Sequence, residues 1–149
     1  MNELTELYQE IILDHNKRPR NYRAIDDATH SADGHNPLCG DELSVSLRLN
    51  GDQIEDISFQ GEGCAISKAS ASLMTTLIKG KSLQAAKEES TVIKQMLTSS
   101  DESDVSMEEL GDIIALSGVR RFPARIKCAT LAWHTFEAAL NGDEDTTTE

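Results

Sequence analysis

A chain of 149 residues fits a single domain and is long enough to bury a core without disulfide staples. The formal net charge of −12 argues against a nucleic-acid partner, because phosphate binding needs clustered Lys and Arg side chains. No apolar run approaches the roughly 18 residues of a membrane span, and the N-terminus lacks a signal-peptide profile, so we expect no membrane partner and a cytoplasmic location.

The first predicted element is an amphipathic helix that ends before Pro19. Its apolar residues recur at the helical spacing, giving one stripe of Leu4, Leu7, Tyr8, Ile11 and Ile12. His15 lies in the polar cluster that ends this helix. Because a polar helix end is an ordinary place for histidine, we do not expect His15 to bind a metal.

A turn follows at residues 36 to 41, with the sequence Asn-Pro-Leu-Cys-Gly-Asp. Asn-Pro marks a turn, and Gly40 permits backbone angles that other residues avoid. In an extended segment, residues i and i+2 point to the same side, so Cys39 and Asp41 could grip one ion.

Strands are predicted on both sides of this turn. One lies near residues 28 to 33, and alternating leucine and valine predict a second from 43 to 49. Asn50-Gly51 predicts a hairpin into a third strand at 53 to 60. Ile54 is out of phase with Ile57 and Phe59, which indicates a bulge.

The second half of the chain is predicted to be helical. Gly61-Glu62-Gly63 lacks the third glycine of a nucleotide loop, so we interpret it as a tight turn that delivers Cys64 to a helix N-terminus. There the helix dipole favours thiolate over thiol. Further helices are predicted at 82 to 89 and 91 to 97, after a Ser106–Glu109 capping box, and at 120 to 140, with a solvated loop at 98 to 104.

The C-terminal segment 141–149 is acidic and holds no apolar residue. This composition predicts a disordered tail after a single domain of residues 1–140.

The three cysteines, Cys39, Cys64 and Cys128, cannot all pair, and a cytosolic location keeps thiols reduced. Cys128 lies about 200° around its helix from Ile126, so a regular helix takes it off the apolar stripe. Isolated buried cysteines often behave as small apolar residues. Here each cysteine lies in a turn or near a helix start, which favours metal binding or thiol chemistry.

A tetrahedral site with three thiolates needs a fourth ligand. Asp41 is the first candidate because it shares a side of the turn with Cys39. His35 ranks second, since Asn36-Pro37 intervenes, and His134 ranks third, about 120° from Cys128 on the same helix.

Three ordered motifs carry a family resemblance. These are Asn36-Pro37-x-Cys39-Gly40-Asp41, Gly61-x-Gly63-Cys64-Ala65-Ile66-Ser67 and Arg125-x-Lys127-Cys128-Ala129-x-Leu131-x-Trp133. Together they resemble the U-type iron–sulfur assembly proteins over essentially the whole chain except the tail. Lys127 stands where the IscU scaffold branch has histidine, and this difference, with the extra residues between the second and third cysteines, resembles the SufU branch.

The resemblance implies an α+β fold in which a small, about three-stranded antiparallel sheet packs against several helices. It also implies a zinc-binding sulfurtransferase that takes persulfide sulfur from the cysteine desulfurase SufS for iron–sulfur cluster biogenesis. The implied zinc ligands are Cys39, Asp41, Cys64 and Cys128, with Cys39 as the sulfur acceptor. We further expect Arg125 to offset part of the negative charge of the site.

Two alternatives remain open. An iron–sulfur scaffold would use the same thiolates to build and transfer a cluster, with other assembly proteins as partners, although Lys127 is a poor substitute for a histidine ligand. A structural zinc module would use the cysteines only for folding and bind a protein partner through its acidic surface.

Overall fold

The computed structural model describes residues 3–98, 113, 115–116, 118–119 and 122–147. The elements are α1 (Glu3–Lys17), β1 (His30–Asn36), β2 (Asp41–Asn50), β3 (Gln53–Glu62), α2 (Ala65–Ile78), α3 (Leu83–Thr98), α4 (Pro123–Asn141) and β4 (Asp145–Thr147). This order of helices and strands confirms the predicted α+β class.

The strands form one sheet in the order β3-β2-β1-β4. The β1–β2 and β2–β3 pairs are antiparallel, whereas β4 runs parallel to β1, with Asp33 opposite Asp145. The expected sheet of about three antiparallel strands is therefore corrected to a mixed sheet of four. Strand β4 lies in the segment for which composition predicts disorder. Its Asp-Thr-Thr sequence has no apolar alternation, and it joins the sheet by parallel backbone pairing with β1.

The predicted hairpin and bulge are both present. The register between β2 and β3 shifts at Arg48/Leu49, so that Leu47 pairs with Ile57 but Leu49 pairs with Ile54. The shift returns Ile54 to the buried side, where it is fully buried. Strand β1 also confirms the strand expected near residues 28 to 33.

The core lies between one face of the sheet and the helices α2 and α4. Trp133 and Phe136 of α4 are fully buried there. Helix α4 lies directly on β1, since a Cβ atom added to Gly34 would come within 1.9 Å of Thr135 Oγ1. This packing brings the N-terminal half of α4 to the end of β1, where the turn of residues 36 to 41 begins.

Helix α1 is joined to α2 by buried polar contacts. His15 Nδ1 lies 2.7 Å from Ser72 Oγ, which also accepts a hydrogen bond from the backbone N–H of Arg20 at 2.8 Å. His15 thus links the two helices.

Helix α3 is continuous where two short helices were predicted. Ser90, at the predicted break, is fully buried, and its Oγ donates a hydrogen bond to Glu137 Oε1 at 3.0 Å, so its hydroxyl is satisfied without interrupting the helix. The Ser106–Glu109 capping box and the 98 to 104 loop beyond Thr98 lie outside the described residues. Within the described ranges, no helix is both long and apolar enough to cross a bilayer.

Candidate metal centre

The turn between β1 and β2 is built on the last residue of β1. The carbonyl of Asn36 accepts hydrogen bonds from the backbone N–H groups of Cys39 at 3.3 Å and Gly40 at 2.9 Å. Gly40 has φ = 73°, a left-handed conformation that glycine adopts without a Cβ penalty. The turn places Cys39 and Asp41 at the end of the sheet on which α4 lies.

Three of the four predicted ligands meet at this turn. Cys39 Sγ, a carboxylate oxygen of Asp41 and Cys128 Sγ all lie within 4.8 Å of one another. The two sulfur atoms are 3.4 Å apart. Cys128 faces the turn from α4, while its neighbour Ala129 packs in the core, as the predicted helical positions require.

The three donors differ sharply in exposure. Asp41 is 1% exposed and Cys128 is 2% exposed, whereas Cys39 is exposed to solvent. The residue before Cys39 is also exposed, since Leu38 retains 62% of its accessible surface. The cluster therefore has a buried pair and one solvent-facing thiol.

Asp41 is held by hydrogen bonds on both carboxylate oxygens. Oδ1 accepts from the backbone N–H of Cys64 at 2.8 Å, and Oδ2 accepts from Asn36 Nδ2 at 3.1 Å. The chain at Gly63 passes so close that an added Cβ atom would lie 2.5 Å from Asp41 Oδ1. Gly63 thus permits a close approach to Asp41. The tight turn predicted over residues 61 to 63 is shorter than expected, because Gly61 and Glu62 still pair with β2 as the last residues of β3.

Cys64 lies at the N-terminus of α2, as predicted. It is the N-cap residue, and its Sγ accepts a hydrogen bond from the backbone N–H of Ser67 at 3.4 Å. Its sulfur is not among the three mutually close donors. Cys64 is connected to them through its own backbone N–H, which binds Asp41.

Burial is the main cause that raises the pKa of the Cys128 thiol above its usual range, followed by its contacts with Cys39, Cys64 and Asp41. All these neighbours are acids, so none of them supplies a positive charge that would favour the thiolate form of Cys128. A bound cation reverses this effect because it favours the deprotonated form of every donor. The donor cluster is therefore electrostatically suited to a divalent metal.

The donor set fits zinc. Tetrahedral zinc with Zn–S bonds of about 2.3 Å separates two thiolates by roughly 3.8 Å, close to the observed separation of the Cys39 and Cys128 sulfurs. Two thiols and a carboxylate supply three ligands. Cys64, whose side chain also interacts with Cys128, is the candidate for the fourth ligand. Thiolates also bind iron–sulfur clusters, so the donor types are compatible with either group.

The two histidines considered as fourth ligands lie elsewhere. His35 is exposed, on the opposite face of β1 from Asn36, and its Nδ1 lies 3.8 Å from Glu42 Oε1. His134 is half-buried on α4, where burial and then the positive charge of Lys94 lower its pKa. The described structure thus brings Asp41, and neither histidine, into the thiol cluster.

Arg125 is exposed on α4, with its guanidinium carbon 4.5 Å from the ring centroid of Phe122. This stacking is a favourable cation–π contact. Its expected role beside the thiols stays a prediction.

Asn36 is a site residue that the sequence analysis missed. It is fully buried, and its Nδ2 lies 3.1 Å from Asp41 Oδ2 and 3.5 Å from Cys128 Sγ. The Asn-Pro pair suggested only a turn. Alternation along β1 would have identified it, because Ala32, Gly34 and Asn36 share the buried face.

With this geometry established, comparison with known proteins decides the family. The model of the NifU-like N-terminal domain matches residues 7–129. The chain belongs to this family. The resemblance inferred from the three cysteine motifs is thereby confirmed.

Among relatives of this NifU-like domain, the zinc-dependent sulfurtransferase SufU of Bacillus subtilis is 45% identical over 141 residues, covering 95% of this chain and 94% of that protein. The iron–sulfur cluster assembly scaffold protein IscU of Streptococcus pyogenes is 38% identical over 140 residues, covering 94% and 86%. A crystal structure described as an iron–sulfur cluster assembly scaffold protein for the SUF system of Fervidobacterium islandicum superposes with a TM-score of 0.82 at 36% identity, covering 91% of this chain and 97% of that one. The NifU-like fold and the IscU/SufU-like assignment are therefore established.

Proposed function

We propose that this NifU-like domain is a zinc-dependent sulfurtransferase of iron–sulfur cluster biogenesis, which accepts persulfide sulfur from the cysteine desulfurase SufS on Cys39. The observation that carries the proposal is the exposed Cys39 thiol in contact with two buried donors, Asp41 and Cys128. A sulfur acceptor must meet the active site of another protein, and Cys39 is the member of the cluster that solvent reaches. Similarity to the SufU of Bacillus subtilis, named a zinc-dependent sulfurtransferase, supports the choice of reaction.

In this proposal Cys39, Asp41, Cys64 and Cys128 hold the zinc ion. When bound, zinc supplies thiolates at neutral pH without a dedicated base. Four anionic ligands and one divalent ion give a formal charge of 2 − 4 = −2. Arg125, exposed one helical turn before Cys128, offsets part of this charge.

The residue that performs the chemistry is Cys39. Its thiolate attacks the terminal sulfur of the desulfurase persulfide, forming a new S–S bond while the donor S–S bond breaks. The electron pair of the broken bond leaves with the desulfurase cysteine as a thiolate. One persulfide is consumed and one is formed, so the transfer needs no external oxidant or reductant.

The experiment loads a cysteine desulfurase with persulfide under anaerobic conditions, mixes it with the zinc-bound chain and measures the intact mass. We expect the mass of one sulfur atom to be added to the unmodified chain and not to Cys39→Ser. Leu38→Ala, used at a concentration that saturates the transfer, is the matched control and should accept the sulfur, because it alters the same exposed turn but leaves every thiol in place. Normal sulfur acceptance by Cys39→Ser would refute the role of this cysteine.

The second candidate function is an iron–sulfur cluster scaffold. Its support is the similarity to the scaffold proteins from Streptococcus pyogenes and Fervidobacterium islandicum, together with a thiol cluster suited to iron. Anaerobic purification followed by zinc and iron analysis separates the two candidates. Zinc together with stimulated cysteine turnover by the desulfurase supports sulfur transfer, whereas a transferable iron–sulfur chromophore without stimulation supports the scaffold.

A further inference from the structure

The side chain of Asn36 joins the two buried members of the metal centre. Its Nδ2 lies 3.1 Å from Asp41 Oδ2 and 3.5 Å from Cys128 Sγ, and Asn36 is fully buried. Asp41 begins β2 and Cys128 belongs to α4, so one amide nitrogen connects donors from separate elements. This contact lies between parts of the chain that are 92 residues apart in sequence, from Asn36 to Cys128.

The chemistry of the amide group suits these neighbours. An asparagine NH₂ group has two N–H donors and carries no charge, so it serves two acceptors without competing with a metal for them. Carboxylate and thiolate are both acceptors when ionised, and hydrogen bonds to ionised acceptors are stronger than neutral ones. Both neighbours therefore favour the amide orientation with nitrogen, and not oxygen, towards the cluster.

The backbone carbonyl of Asn36 positions the third donor, Cys39, through the turn. The Asn36 carbonyl accepts the N–H groups of Cys39 and Gly40 and so closes the turn. The amide contacts involve Asp41 and Cys128, whereas the turn alone carries the exposed Cys39 side chain. The side chain of Asn36 therefore contacts the buried pair, and its backbone carbonyl holds the turn that carries the exposed thiol.

We propose that Asn36 is a positioning residue of the metal centre, whose amide fixes Asp41 and Cys128 in their ligating orientation independently of Cys39. The inference rests on the zinc site of the proposed function and assigns this orientation to a residue outside the four ligands. It predicts that the buried half of the site keeps its geometry when Cys39 moves to accept sulfur. Outer partners of metal ligands typically contribute about 10- to 100-fold in metal affinity, which sets the expected effect.

The test compares Asn36→Ala, which shortens the side chain, with Asn36→Leu, which keeps its approximate volume and removes both donors. Zinc alone is the probe, and its dissociation constant is measured by competition with a chromogenic chelator. We expect both variants to bind zinc about 10- to 100-fold more weakly than the unmodified chain. We also expect Asn36→Leu to lower the affinity by a similar factor when Cys39 is already serine, because the amide acts on the other two donors.

Asn21→Ala is the control. Asn21 also donates from Nδ2, to Thr75 Oγ1 at 3.0 Å, but this contact joins the segment after α1 to α2, away from the metal centre. It should reduce the thermal stability of the metal-free chain and leave zinc affinity within about twofold. A cobalt-substituted chain adds a spectroscopic measurement, since the thiolate-to-cobalt absorption should shift in the Asn36 variants and not in Asn21→Ala.

Each other outcome counts against the inference. Zinc affinity within about twofold of the unmodified chain in Asn36→Leu, or a loss in Asn36→Ala alone, would assign Asn36 to packing. If both variants fail to fold while the unmodified chain is stable without metal, the role of Asn36 is structural. If the unmodified chain itself binds no zinc, the proposed function fails; tight zinc binding that is unchanged by the variants overturns this inference alone.

Discussion

The candidate metal centre consists of two regions that differ in burial and in their hydrogen bonds. The buried region contains Asp41 and Cys128, which are 1% and 2% exposed. Both contact the amide of Asn36 in β1, and Asp41 also accepts from the backbone N–H of Cys64, the N-cap residue of α2. The exposed region is the tip of the turn, where Leu38 and Cys39 face solvent. The two regions meet at the 3.4 Å contact between the sulfurs of Cys39 and Cys128.

This difference indicates how one site can be stable and still reactive. Removing a buried donor leaves neighbouring polar groups without their partners, which is costly. An exposed donor can be replaced by water, as in catalytic zinc sites with three protein ligands. The sulfur-accepting thiol is therefore expected on the exposed side, and the retention of the metal on the buried side.

The largest expected effect comes from replacing Cys128 or Cys39 with serine in separate variants, which tests the difference between the buried and exposed regions. We expect Cys128→Ser to weaken zinc binding by more than about 100-fold, a loss of roughly 2.7 kcal/mol of zinc-dependent stabilisation at saturating metal. Cys39→Ser should lose less, because water can occupy its position. Chelator competition measures both affinities, and equal losses would contradict the distinction between the two regions.

Glycine substitutions test the same distinction through the backbone. Gly63→Ala would place a Cβ atom 2.5 Å from Asp41 Oδ1, so we expect displacement of the carboxylate, about 1–3 kcal/mol of lost stability and weaker zinc binding. Gly40→Ala meets no atom within 4 Å but has φ = 73°, so it should cost about 1 kcal/mol through backbone strain, with a smaller change in zinc affinity.

Urea unfolding of the metal-free variants, followed by zinc titration, checks this pair. A larger reduction of zinc affinity in Gly40→Ala than in Gly63→Ala would contradict the distinction between the two regions.

Leu38→Ala examines the exposed region alone. Leu38 retains 62% of its surface, so its truncation should change the free energy of unfolding by no more than about 0.5 kcal/mol and leave zinc affinity intact. If the desulfurase docks over the turn, the loss of this apolar contact should raise the concentration needed for half-maximal sulfur transfer by about 3- to 10-fold. A titration of transfer rate against the chain measures this change. An unchanged curve would place the docking contact away from Leu38.

The smallest expected effect is on the pH dependence of stability, through His134, which lies outside the thiol cluster. Burial, with a further contribution from Lys94, lowers the pKa of His134 below its ordinary value, while Glu137 opposes the shift. The unfolded chain then binds the proton more readily than the folded chain, so His134 makes stability fall as pH drops below about 6.5.

His134→Gln should reduce this loss, measured by urea unfolding of the metal-free chain at about pH 7.5 and pH 5. Zinc affinity at neutral pH should not change. A large loss of zinc affinity would instead identify His134 as a zinc ligand in place of Asp41.

Local patterns in the sequence predicted the elements that carry the site. The alternation of apolar and polar residues predicted β2, and the position of Ile54 out of phase with Ile57 and Phe59 predicted the bulge in β3. The turn glycines and Pro37 gave the positions of Cys39 and Cys64 at element ends. These signals are short-range, because they depend on backbone geometry and on which face of one element is apolar.

Contacts between distant elements were harder to predict. The pairing of β4 with β1 depends on backbone hydrogen bonds, which an Asp-Thr-Thr sequence does not predict. The role of Asn36 depends on the register that brings Asp41 opposite it and on the packing of α4 over β1. The family motifs predicted the ligand set, whereas the difference in burial between Cys39 and Cys128 required the tertiary structure.

The most direct test of the account is to locate the transferred sulfur while counting the bound zinc. The zinc-loaded chain is mixed with persulfide-loaded desulfurase, alkylated at set times and analysed by peptide mass mapping, with zinc measured in the same samples. The account predicts sulfur on Cys39 and zinc retained by the chain. Sulfur on Cys64 or Cys128, or release of one zinc ion for each sulfur accepted, would contradict it.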